Sequence, residues 1–134
     1  MTRNTLAALF AALALAGPAA ALVPLPQERH INDSLIQARV ADVLRRNCPS
    51  LDARMVRAFN EARKLKRYAL AQGYSEAEID TFLHSKEERR RVYREADRYM
   101  VANGVVNGRP ETFCRLGKQE IARKTIAGSL LVAR

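Results

Sequence analysis

The stretch ETFCRLGKQEIARK, residues 111–124, poses the question that decides the fold. Phe113, Leu116 and Ile121 fall at helical spacing along it. It also carries Cys114, one of only two cysteines in the chain. The other, Cys48, lies in RRNCPSLDARM, residues 45–55. Cys114 has three possible chemistries: a reactive thiol, a metal ligand, or half of a bridge to Cys48.

The N-terminal residues weigh on that choice. MTRNTLAALFAALALAGPAAA, residues 1–21, carries Arg3 and no acid, then an apolar run from Leu6 to Ala16. Gly17-Pro18 breaks the run, and Ala19 to Ala21 offer small side chains for cleavage. This is the three-part layout of a secretory signal peptide. The apolar run falls short of the roughly 20 residues a membrane-spanning helix needs. Because no cysteine follows the small residues, there is no lipid-attachment site. The expectation is export to the periplasm without a lipid anchor and without a transmembrane segment in the mature chain. Residues 22–134 would form a single helical domain behind an extended lead, LVPLPQERHIND.

In an oxidising compartment two cysteines are read first as a disulfide. A Cys48–Cys114 bridge closes a loop of about 67 residues, worth roughly 4 kcal/mol by the chain-entropy model. Zinc would need four ligands, and Cys48, Cys114, His30 and His84 are not closely spaced. Spacing alone does not exclude a Cys114–His84 catalytic pair, since such groups meet only in the folded chain. The bridge is the expectation, and no metal or other cofactor is expected.

The rest of the chain reads as helices. The first, SLIQARVADVLRRN, is capped by Asn32 or Asp33 and buries Ile36, Val40, Val43 and Leu44. Cys48-Pro49 ends it. A second runs from about Leu51, capped by Ser50, to Gln72, with Gly73 as its stop. Met55, Phe59, Ala62, Leu65, Lys66 and Ala69 share one side of it, and Val56 and Leu70 widen the expected buried surface. Ser75 and Glu78 form a capping box for a third helix anchored by Ile79, Phe82 and Leu83. Ser85 and Glu88 repeat the device for a fourth, with Val92, Tyr93, Ala96, Tyr99 and Met100 inward. Asn103-Gly104 stops that helix, and Pro110 opens the fifth, in which Gly117 permits close packing. TIAGSLLVAR continues as a short helix broken at Gly128. No segment alternates as a strand does, so the fold class is all-α: a compact bundle of about five helices pinned by one disulfide.

Several of these blocks together resemble a known family. RVADVLRRNCPSLDARMVRA, LKRYALAQGYSEAEIDTFL and FCRLGKQEIA…GSLL look like an uncharacterised family of small exported alphaproteobacterial proteins, a domain of unknown function. The resemblance implies a periplasmic helical domain with a Cys48–Cys114 bridge, and no activity transfers with it.

The chain carries a formal charge of +9. Outside the cytoplasm the nearer polyanions are lipid headgroups, envelope polysaccharides and acidic proteins, so nucleic acid is not an expected partner. Arg63, Lys64 and Arg67 in the second helix, and Arg91, Arg94 and Arg98 in the fourth, would merge into one anion-binding surface if those helices packed side by side. The alternative is a solvated face laced by i,i+4 pairs such as Glu87–Arg91 and Arg91–Glu95. Tyr68, Tyr74, Tyr93 and Tyr99 belong to the same two-helix region, with Tyr68 and Tyr74 packing around Gly73. The acids at Glu76, Glu78, Asp80, Glu87 and Glu88 sit at helix starts, where capping explains them. His30 is assigned to a flexible lead and His84 to a solvated helix end. No catalytic residues emerge: the chain has no phosphate loop, serine elbow or close metal spacing. The expected function is a periplasmic, non-enzymatic interaction module for an envelope protein or an anionic lipid or polysaccharide surface. A stress chaperone is the alternative, and a small cell-wall hydrolase, needing two converging carboxylates, is the third.

Overall fold

A computed structural model describes residues 21–134. The expected signal peptide lies outside the described residues, apart from Ala21. The lead is extended only to Pro24. Leu25–Gln27 form a 3-10 turn, and α1 begins at once, spanning Arg29–Asn47. Its cap is Glu28, whose carboxylate accepts from the Ile31 amide at 2.6 Å. Asn32 and Asp33, expected as caps, are therefore inside the helix. Asn32 instead uses its amide to tie off the Leu25 and Glu28 carbonyls at 2.7 and 2.6 Å. His30, expected in a flexible lead, is helical and stands edge-on to Tyr68 with ring centres 4.5 Å apart.

Helix α1 is the axis of the domain. α4 (Lys86–Ala102), α5 (Pro110–Arg123) and α6 (Ile126–Ser129) all pack against it. Val40 and Leu44 from α1, Ala96 from α4, Leu116 from α5 and Ala127 from α6 meet in a core sealed from solvent. Burying each of the valine and leucine side chains contributes about 1.5–3 kcal/mol.

The chain after Cys48 departs from the expected second helix. Leu51–Ala53 is a strand, β1, paired antiparallel with β2, Leu131–Ala133, so that Leu51 faces Ala133 and Ala53 faces Leu131. Arg134 forks onto the Asp52 carboxylate beside the ribbon. Gly117 does permit a close approach, but by β1 and not by the expected helix: a Cβ there would stand 2.2 Å from the Leu51 side chain. Gly128 does not break a helix. It lies within α6, where a Cβ would meet the Glu120 carbonyl at 1.9 Å. The break falls at Lys124, whose φ of 55° ends α5, and Thr125 caps α6.

α2 therefore runs only over Met55–Gln72, with Arg54 at its cap position and no side-chain cap. The Arg54 amide is instead held by the Leu130 carbonyl at 2.8 Å. Gly73, at φ 108°, stops the helix as expected. α3, Glu76–His84, carries the full capping box. Ser75 accepts from the Glu78 amide at 3.1 Å, and Glu78 accepts from the Ser75 amide at 2.7 Å. Only half of the device recurs at α4, because Glu88 turns to Arg91 at 2.8 Å instead. Leu25, Ile31, Ala69, Tyr74, Ile79 and Phe82 form a second, smaller core where α2 and α3 meet the start of α1.

Candidate functional site

Cys48 and Cys114 form a disulfide, with Cα atoms 5.0 Å apart across 66 positions of sequence. It joins the end of α1 to the first turns of α5, and Ser50 lies against both sulfurs. Neither thiol is left for catalysis or for a metal.

The six basic residues singled out in the sequence do not come together. α4 lies along α1 and α3, and α2 reaches the body through α1 and α3 as well, so the two helices are not packed side by side. Arg91 is half-buried and spent within the fold. It donates to Asn32 on α1 and pairs with Glu88 at 2.8 Å, tying α4 to the start of α1. Arg98 pairs with Glu95 at 2.6 Å, and Arg94 is exposed. The α4 half of the expected surface is thus a solvated, internally paired face. The pairs close at i,i+3 and not at the expected i,i+4 positions.

The tyrosines are also dispersed. The Tyr68 hydroxyl donates to Glu28 at 3.0 Å, and that of Tyr74 to the Val23 carbonyl. A Cβ at Gly73 would stand 3.3 Å from the Leu22 side chain. Tyr93 lies under the Arg39 guanidinium, 3.9 Å from its ring centre. Tyr99 donates to Glu120 at 2.7 Å. Burial, and then that bond, push the Tyr99 phenol above its ordinary value.

Glu120 escaped notice in the sequence. Its carboxylate is wholly buried and accepts from the Tyr99 and Thr125 hydroxyls, latching α5 to α4 and to the start of α6. Only its place on the α5 stripe, one position before Ile121, hinted at an inward acid. The acids that the sequence did single out have local duties. Glu76 pairs with Lys66 at 2.7 Å, Glu78 caps, and Glu88 holds Arg91. Asp80 lies 4.0 Å from His84, both exposed. Among the described residues no group of three or more potential ligands could hold a metal ion.

What remains is α2. Its expected buried side packs only in part. Leu65 and Ala69 meet the body as expected, joined by Ala58 and Tyr68, whereas Met55, Phe59 and Lys66, centred about 100° around the axis from that group, stay exposed. The β1–β2 ribbon and the Arg54–Leu130 bond fix the orientation in which the helix starts. Ala58 and Ala69 therefore face inward with Leu65 and Tyr68, while Met55, Val56 and Phe59 face outward. Val56 is 77% exposed, Phe59 63% and Met55 53%. These three residues occupy adjoining positions at the N-terminal half of the helix. Arg54, Arg57, Arg63, Lys64 and Arg67, with Asn60 and Glu61, line a wide, open basic concavity that takes in Met55 and Val56, and Phe59 lies beside it. Glu61 pairs with Lys64 at 2.9 Å and is the sole acid lining it. Half of the sequence-predicted cluster, Arg63, Lys64 and Arg67, thus does lie on one surface, joined by Arg54 and Arg57.

A family model describing a family of unknown function, DUF5333, matches residues 23–132. The chain belongs to that family. The DUF5333 match takes in every helix, both cysteines and the apolar–basic surface of α2. No curated protein and no solved structure matches the chain.

Proposed function

We propose that this DUF5333 protein is a non-enzymatic docking module of the cell envelope, and that α2 lies against an anionic lipid surface. The observation that carries the proposal is the exposure of Met55, Val56 and Phe59 on one helix face beside a concavity lined by five cations. Large apolar side chains left in water forgo about 1.5–3 kcal/mol each relative to burial. Grouped on one helix face and rimmed by charge, they describe a contact surface. Arginine and lysine stems run along apolar surface while their heads reach polar groups, which suits a helix lying at the headgroup level. Each cation held near an anionic leaflet adds about 1 kcal/mol. Export, the expectation from residues 1–21, would bring this surface to envelope membranes.

Co-sedimentation with vesicles tests the proposal. The protein is expected to pellet with phosphatidylglycerol-containing vesicles and to stay in solution with phosphatidylcholine alone. Binding should weaken as salt rises, since exposed charges are screened over about 8–10 Å at physiological ionic strength. Phe59→Ser, and separately Arg63→Glu with Arg67→Glu, should each cut binding at least tenfold without altering helix content. Equal binding to neutral and anionic vesicles would remove the electrostatic half of the proposal. Suppression of client aggregation that needs Phe59, with no vesicle binding, would favour the stress-chaperone reading instead.

A further inference from the structure

The opposite side of α2 covers a second feature, which the docking surface does not use. A cleft of about 560 Å³ remains between α2 and α1, α3 and α6. That volume falls within the roughly 300–1,000 Å³ of small-molecule sites. Its walls are apolar: Leu35 and Ala38 from α1, Leu65 from α2, Ile79 and Phe82 from α3, and Leu130 beyond α6. The cleft follows α2 from Ala58, beside the larger core, to Ala69, in the smaller one. At 1.5 Å per residue that is a run of about 16 Å.

The polar groups along the cleft are mostly committed. Tyr68 donates to Glu28, Ser34 to the His30 carbonyl and Ser129 to the Ile126 carbonyl. Lys64 pairs with Glu61 and Lys66 with Glu76. Arg57 differs: among the described residues it makes neither an ion pair nor a side-chain hydrogen bond, and it stands at the end near Leu130. Arg57 also lines the outer basic concavity, so it sits where the cleft opens. The cleft therefore has a long apolar interior and one uncommitted cation at its mouth.

We propose that the cleft binds a single acyl chain ending in an anionic head, the chain lying along Leu35, Leu65 and Phe82 and the head meeting Arg57. A methylene chain needs no hydrogen-bond partners, whereas an extended peptide would bring amides and carbonyls into a space with few groups left to receive them. A helix filling the same 16 Å, at 10–12 Å across, would need about two to three times the volume. A guanidinium binds a carboxylate or a phosphate through paired N–H donors, so either head fits.

Titration calorimetry on the whole chain, with three ligands of one chain length, tests this: laurate, lauroyl-lysophosphatidylglycerol and dodecanol. Saturable one-to-one binding of at least one anionic ligand is expected, with dodecanol at least tenfold weaker. Tighter binding of laurate would assign the head to a carboxylate, and of the lysolipid to a phosphate; both uphold the proposal. Arg57→Gln should weaken the anionic ligand about tenfold and abolish its advantage over dodecanol. Ala38→Phe, at an exposed position on the cleft wall, should block all three while leaving circular dichroism unchanged. Unaltered binding in Ala38→Phe, or dodecanol binding as tightly as both anions, would overturn the proposal. So would a wild-type dimer by light scattering that Ala38→Phe splits, since the cleft would then seat a second copy. Phe59→Ser serves as the control: it should abolish vesicle docking and spare laurate, so either proposal can fail without the other.

Discussion

Cys48 is buried and Cys114 half-buried, and the bond between them fixes the end of α1 against α5. Replacing either with serine should destabilise the fold by about 4 kcal/mol, and the double variant should lose little more, because one cross-link is removed in every case. Thermal melts of the three variants check this. Alkylation of native protein should label neither cysteine before reduction. Two glycines offer a sharper residue-scale comparison. A methyl at Gly117 meets the end of the Leu51 side chain, which can swing aside, whereas one at Gly128 meets the Glu120 backbone carbonyl, which cannot. Gly117→Ala should cost about 1–3 kcal/mol, the usual range for overpacking, and Gly128→Ala more. A larger loss from Gly117→Ala in urea unfolding would contradict the described contact between α5 and α6. Gly117 was legible in sequence as a close-packing glycine. Gly128 was misread as a helix breaker, because the carbonyl that demands it belongs to another helix.

At the scale of elements, α2 is set apart from α1, α4 and α5. Only Ala69 of its residues is buried, while each of the others contributes several side chains to the core. Amide exchange should therefore be faster along α2 than along α1, since local opening there exposes little apolar surface. Uniform protection across the two helices by exchange mass spectrometry would contradict this. Local chemistry made most helix ends readable: Gly73 supplies its left-handed stop, Ser75 and Glu78 their reciprocal cap, and Pro110 a first turn. The β1–β2 ribbon was not readable. Three residues are too few to show alternation, and Leu51 pairs with Ala133, a partner remote in sequence. The packed side of α2 was read only in part, with Leu65 and Ala69 right and Met55 and Phe59 wrong, for a related reason. Its apolar residues cover a wide arc, and the side that faces inward is set by the ribbon, not by the helix's own pattern.

For the whole molecule, acid stability follows from carboxylates held in place by cations and caps. Burial pushes Asp42 upward, but the Arg46 hydrogen bond and the charges of Arg45 and Arg46 outweigh it, so its carboxyl lies below the ordinary range. Asp52 is lowered by its bond to Arg134, and Glu78 by the Ser75 amide. A carboxyl with a depressed folded pKa contributes stability that is present above its unfolded value and is lost as pH falls through the folded one. The melting temperature should thus hold steady near neutrality and decline below about pH 4, the ordinary carboxylate value. Arg134→Gln should flatten part of that decline. The basic residues read from sequence as one surface divide in the folded chain: Arg91 and Arg98 are used within the fold, while Arg63, Lys64 and Arg67 flank the exposed apolar face of α2. Which arginines remain available depends on Asn32, Glu88 and Glu95, partners that spacing along a single helix only partly reveals. The chain contains no tryptophan, so Phe59→Trp places a single reporter at the centre of the proposed docking surface. On addition of phosphatidylglycerol-containing vesicles its emission should shift to shorter wavelength and become shielded from aqueous quenchers, with no change in phosphatidylcholine. An emission spectrum that stays that of a water-exposed indole in both would contradict the docking of α2 on an anionic surface.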